Sequence, residues 1–140
     1  MTRNKITRIV VWVLRITAAI ILLQTLFFKF TAHPDSVYIF STLNIEPWGR
    51  VGTGILELVA AILLLWPRYA FWGAITGVGV MVGAIFSHLF ILGINVNNDG
   101  GVLFTLALAV FLSCIILVLL ERKVLPEYIP YLERFKFFKA

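Results

Sequence analysis

Four apolar stretches, each able to cross the hydrocarbon core of a bilayer, constrain this chain more than any other feature. They cover residues 9–28, 51–66, 69–93 and 101–120. A spanning helix needs about 17–25 residues, and the second stretch reaches that length when it begins near Trp48. Barrel strands alternate apolar and polar residues, which these runs do not. Helices satisfy their own backbone hydrogen bonds, which lipid cannot do for them. The expected fold is an all-α integral membrane protein: a four-transmembrane-helix bundle with a short outer interfacial helix in the first loop. Composition agrees, because 61% of the 140 residues are hydrophobic and 14% charged, against about 45–50% and 25% in soluble domains. The single cysteine, Cys114, excludes an intramolecular disulfide framework, a Cys-x-x-Cys pair and a multi-cysteine metal site.

The basic start of the first stretch (Arg3, Lys5, Arg8) resembles a signal peptide. However, Arg15 interrupts the apolar region and Phe27-Phe28-Lys29-Phe30 follows it in place of small residues, so it is expected to be retained as a span. With four spans, the two termini and the middle loop share one side. That side carries Arg3, Lys5, Arg8, Arg68, Arg122, Lys123, Arg134, Lys136 and Lys139, against Lys29 and Arg50 on the other. Basic residues mark the cytoplasmic side, so both termini are expected there. The net charge of +5 then reflects topology and attraction to the anionic headgroups of the lipid bilayer, and no nucleic-acid partner is expected.

Residues 30–50 form a long outer loop in which Asp35 or Ser36 is expected to cap a short helix. Pro47 is expected to open the second span, with Trp48 at headgroup level. Asn95-Val96-Asn97-Asn98-Asp99-Gly100-Gly101 is a turn by composition. Residues 1–120 are expected to form the membrane domain and residues 121–140 a basic, aromatic tail on the cytoplasmic surface.

The informative residues are those that lipid would reject. Arg15, Gln24, Glu57 and His88 fall inside spans, with Lys29 at an outer edge. Mid-bilayer ionisable groups cost about 2.5–3.5 kcal/mol on insertion scales, so they face the bundle interior and find partners. Chain direction places Gln24, Lys29, Glu57 and His88 in the outer half, beneath a loop carrying His33 and Asp35. Glu57 shares a helix face with Gly54 and Ala61; His88 shares one with Gly73, Gly77, Val80, Ala84 and Ser87. Such small faces let helices approach closely. The expected polar pocket comprises Lys29, Glu57, His88, Ser87 and His33, with Glu57 at its centre. Each residue also has a purely structural reading. Glu57 and Lys29 would form an ion pair that only holds the bundle together; His88 would bond Ser87 or a backbone carbonyl; His33 and Asp35 would serve as loop and cap residues. Arg15 belongs to the inner half, where it would snorkel or meet a lipid or anion phosphate. No metal site is expected, since Glu57, His88 and His33 have no fixed ligand spacing.

In order along the chain, these residues resemble the DoxX family of small four-span bacterial membrane proteins. The resemblance rests on Arg15 followed by Lys29 in Phe27-Phe28-Lys29-Phe30, on Gly54-Ile55-Leu56-Glu57-Leu58, on Gly83-Ala84-Ile85-Phe86-Ser87-His88-Leu89, and on Asp99-Gly100-Gly101. It implies the four-helix fold, the bacterial inner membrane and a family signature near Arg15, Lys29 and Glu57. Some members of that family are associated with membrane oxidoreductase assemblies, a thiosulfate:quinone oxidoreductase among them. A thiol relay would need cysteines that this chain lacks.

Two classes of function follow. In the first, the chain is the membrane subunit of a quinone-linked oxidoreductase, with Lys29, Glu57 and His88 serving the quinone headgroup. No redox cofactor is expected to be intrinsic, since one cysteine cannot hold an iron–sulfur cluster and His33 and His88 sit at different heights; a membrane oxidoreductase partner would supply it. In the second, the chain is a non-enzymatic scaffold or assembly factor, or a small anion or lipid carrier. A carrier with only four helices would need to act as a homo-oligomer.

Overall fold

A computed structural model describes residues 4–122. Within them the chain forms five helices: α1 (Lys5–Phe30), α2 (Pro34–Thr42), α3 (Trp48–Leu65), α4 (Ala70–Ser87) and α5 (Val102–Glu121). The last turn of α4, His88–Leu92, widens into a π-helical turn. The four long helices are long and apolar enough to cross a membrane, and the short α2 lies between the first two. Each long helix packs on two neighbours in the ring α1–α3–α4–α5 and back to α1. The basic tail expected over 121–140 lies outside the described residues apart from Glu121 and Arg122, and Glu121 still belongs to α5.

The two ends of the bundle differ in packing. At the end that holds the start of α1 and the end of α5, the terminal end, small side chains bring the backbones together. The core there and at mid-height is built from Ala18, Ala19, Ala60, Ala61, Ala74 and Cys114, filled in by Leu22, Leu64 and Leu117. A Cβ on Gly73 would lie 2.6 Å from the backbone nitrogen of Leu64, and one on Gly77 would lie 2.7 Å from Cys114 Sγ. Glycine is therefore required where α4 meets α3 and α5. Further along the same helix, a Cβ on Gly79 or Gly83 would meet nothing within 4 Å. The packing opens toward the end that carries α2.

The terminal end also holds an ion pair that the sequence reading did not place. Arg15 Nη2 donates to Glu121 Oε1 at 2.6 Å, and the two residues are 3% and 5% exposed. Trp12 lies under the guanidinium, 5.2 Å from ring centroid to Cζ. The expected lipid or anion contact of Arg15 is thus corrected: its charge is matched inside the protein, joining α1 to the last turn of α5. In an antiparallel bundle, an early residue of the first span and the last residue of the fourth share one end. Ending the fourth span at residue 120 had set the partner apart in the tail.

At the opposite end, the turn after α1 leads into α2. Its N-cap is His33, whose Nδ1 accepts from the Asp35 backbone N–H at 3.4 Å, with Pro34 at the first helical position. This corrects the expected cap at Asp35 or Ser36. A residue before proline is pushed out of the helical region; His33 accordingly has φ −56° and ψ 140° and stands just outside the helix. Arg50, near the start of α3, is buried; its Nε donates to Glu46 Oε1 at 2.7 Å and its Nη1 donates to the Lys29 carbonyl. It thereby caps the C-terminal end of α1, where a cation also suits the helix dipole.

The link between α4 and α5 is held by Asp99. Its Oδ1 accepts from the N–H groups of Val96 and Gly101, and its Oδ2 from that of Leu103, each at 2.9 Å. This satisfies donors that the first turn of α5 leaves without helical partners. Gly101 itself has φ +82°, a conformation open to glycine at little cost. Burial pushes the Asp99 carboxyl up, but those three N–H bonds and the nearby His88 outweigh it and hold it below its ordinary value.

Candidate functional site

The splayed end of the bundle encloses a cavity of about 630 Å³, bounded by all four long helices and roofed by α2. Most of its wall is apolar: Ile21, Leu22, Ile39, Leu103, Leu106 and Val110 contribute. Its polar lining comes from Thr25, Lys29, Ser36, Glu57, Ser87 and His88, together with Gln24, Asp35, Thr53 and Asp99. A large apolar recess with a few convergent polar groups is the usual form of a small-molecule site.

Glu57 is part of this lining. The residue is 4% exposed, and its Oε2 accepts from Lys29 Nζ at 2.8 Å. Thr25 Oγ1 is also 2.8 Å from Oε2, and equally 2.8 Å from Leu22 O, so its single proton serves one acceptor at a time. Antiparallel α1 and α3 make this meeting possible: Thr25 and Lys29, four residues apart, present one face of α1, and Gly54 lets α3 lie against it. An added Cβ at Gly54 would come within 3.0 Å of the Phe30 ring and 3.6 Å of Lys29 Cβ. Both contacts of the carboxylate use Oε2. Oε1 makes no hydrogen bond among the described residues.

His88 approaches from α4. It is 6% exposed, and its ring lies edge-on to Phe104 of α5 with centroids 5.7 Å apart. The π-helical turn that follows brings the Gly93 carbonyl within 2.9 Å of Nδ1. A carbonyl only accepts, so Nδ1 carries the proton and Nε2 is left as the other ring position. Nε2 has no hydrogen-bond partner among the described residues. Ser87 instead donates back to Gly83 O at 2.8 Å, which leaves the Gly93 carbonyl as the hydrogen-bond partner of the His88 ring among the described residues.

The structure therefore brings Lys29, Glu57, Ser87 and His88 to one cavity, and it joins Lys29 to Glu57 directly. His33 is not on the cavity wall; it caps α2 and packs edge-on against Phe28 with centroids 5.0 Å apart. Arg15 lies at the terminal end. Four cavity residues escaped the sequence reading as site members: Thr25, Ser36, Thr53 and Asp99. Thr25 shares the helical face of Lys29, which was the available signal. Ser36 is 5% exposed, and its hydroxyl makes no hydrogen bond among the described residues; a capping role had seemed sufficient for it. Among the described residues no group of three His, Cys, Asp or Glu side chains is placed to hold a metal.

Fold and cavity together define a small multi-pass membrane protein with a polar-lined recess at one end of a four-helix bundle. The DoxX-like family matches residues 13–117, three quarters of the chain, and the protein belongs to that family. No curated protein and no solved structure matches the sequence.

Proposed function

We propose that this protein is the membrane subunit of a quinone-linked oxidoreductase assembly and that its cavity receives the quinone headgroup. The observation that carries the reading is the pair Glu57 Oε1 and His88 Nε2. Both belong to nearly fully buried side chains that line a mostly apolar recess, and neither has a protein partner among the described residues. Both atoms open onto the recess with their side chains otherwise held in place, so a ligand with matching groups can meet them there. A quinone brings two carbonyl oxygens on an apolar ring; when bound, it supplies two-electron redox chemistry with proton exchange. Glu57 can hold or release a proton at Oε1, while Lys29 and Thr25 fix its other oxygen. His88, fixed at Nδ1, can face a ligand oxygen through Nε2. Electrons would come from a partner protein.

The anion-carrier reading finds less support, because Arg15 and Lys29, its two cations, are each paired with a carboxylate. On this reading the termini face the cytoplasm, as the basic-residue bias favours, and the cavity lies in the outer leaflet of the bacterial inner membrane that the family resemblance implies; the two outer cations, Lys29 and Arg50, are paired with Glu57 and Glu46. The test is purification in a mild detergent, extraction of bound lipid with mass spectrometry, and titration with a quinone lacking a tail. A bound quinone and saturable binding, weakened at least about tenfold in Glu57→Gln, are expected. A stoichiometric protein partner with no quinone, and no saturable binding, would favour the scaffold.

A further inference from the structure

The cavity does not end at the polar cluster. It continues along the seam between α3 and α4, where Leu56 of α3 and Gly79 and Gly83 of α4 also line it. These three residues are exposed, and their direction can be worked out. On α4, Gly73 faces α3 and Gly77 faces α5, as their contacts with Leu64 and Cys114 show. At about 100° per residue, Gly79 and Gly83 lie roughly 120° and 80° beyond Gly73 on the side away from Gly77. They border the α3 seam from its lipid side, not from the bundle interior. Leu56 borders the same cavity from α3 and is 48% exposed.

The seam is closed at one end and open at the other. At Gly73 the backbones of α3 and α4 nearly touch, whereas at Gly79 and Gly83 a side chain would have open space. That opening leads from the face of the bundle that meets acyl chains into a recess lined by Glu57, His88 and Ser36, whose polar atoms facing the cavity can receive a ligand headgroup.

We propose that the gap bordered by Leu56, Gly79 and Gly83 is a lateral portal through which the ligand's hydrocarbon tail extends into the surrounding leaflet while its polar head occupies the cavity. This rests on the quinone reading and deepens it. The ligand class becomes an amphipathic quinone with a long isoprenoid or alkyl chain, entering sideways from the bilayer without crossing the roof formed by α2. Glycine at 79 and 83 keeps the portal wide, since any larger side chain there would project into the path of the chain. Leu56 supplies an apolar edge.

The test compares two probes on wild type and on Gly83→Leu, with Gly83→Ala as a milder variant. One probe is 2,3-dimethoxy-5-methylbenzoquinone, a head with no tail; the other is the same head carrying several isoprene units. Both are titrated into protein in nanodiscs, with binding read by quenching of tryptophan fluorescence or by calorimetry. Folding is checked by monodispersity and thermal stability, and the open space at Gly83 predicts that both variants pass. Wild type is expected to bind both probes, and Gly83→Leu to weaken the tailed probe about tenfold or more while leaving the head alone unchanged. Unchanged binding of the tailed probe in Gly83→Leu would overturn the portal and leave the headgroup site standing. Equal weakening of both probes would also overturn it, by showing that position 83 acts on the head. Binding of neither probe to wild type would remove the quinone reading and the portal with it.

Discussion

Lys29→Met should destabilise the bundle more than the loss of both charges does. In wild type, Glu57 is almost wholly buried and its Oε2 is met by the Lys29 ammonium at 2.8 Å. Removing one partner of a buried ion pair costs about 3–5 kcal/mol, because a charge is left without compensation. Two features place Lys29→Met near the lower bound: Thr25 remains within hydrogen-bond distance of Oε2, and Oε1 has access to the cavity. A loss near 3 kcal/mol in a chain of this size corresponds to a fall in Tm of roughly 10 °C. Glu57→Gln should cost less, on the order of 1–2 kcal/mol. The lysine it strands lies in the last turn of α1, where the helix dipole favours a cation and a long side chain can reach toward headgroups. In the double variant no charge is stranded, and Thr25 can donate to the amide oxygen that Glu57→Gln leaves in place of the carboxylate.

The double-mutant cycle should therefore show a coupling energy on the order of 2–3 kcal/mol, measured as thermal unfolding of the four proteins in one detergent at one pH. Strict additivity would refute the ion pair as an energetic unit. A Glu57→Gln variant less stable than Lys29→Met would refute the argument from burial, since it would make the ammonium the group that depends on its partner. The cycle is also informative about function. If the pair only holds the bundle together, the double variant should keep the affinity for a quinone headgroup; if Glu57 Oε1 meets the ligand, affinity falls even where stability is restored.

Glu121→Gln should lower stability by about 3 kcal/mol by stranding the buried Arg15, whereas Arg15→Met with Glu121→Leu should recover most of that loss, as read by thermal unfolding. Asp99→Ala should cost about 1–2 kcal/mol by removing the acceptor for the first turn of α5. Because the folded protein holds the Asp99 carboxyl below its ordinary value of 3.8, its contribution should be complete above that pH. It should disappear as pH falls through the lower folded value; an acid titration of Asp99→Ala beside wild type checks this, and parallel acid profiles would contradict it. A phosphatase fused after Ala140, active only outside the cytoplasm, should be silent, and an active fusion would reverse the assigned orientation.

Residues whose position follows from helix period and chain direction were legible in the sequence. Gly54, Glu57 and Ala61 share a face by spacing alone, and all three are buried. Lys29 and Glu57 could be paired because antiparallel spans bring the end of one to the early turns of the next. Contacts that depend on where a helix stops, or on which atom of a side chain is spent locally, were not legible. A one-residue difference at the end of α5 separated Glu121 from Arg15 and turned a buried ion pair into an expected lipid contact. His33 joined the expected pocket because its loop lies above Lys29 and Glu57, beside its reading as a loop or cap residue; the restriction that Pro34 places on its backbone makes it the cap of α2. Ser36 was passed over for the opposite reason. With His33 already capping the helix, its hydroxyl is free to face the cavity, so one local backbone constraint removed one residue from the site and added another.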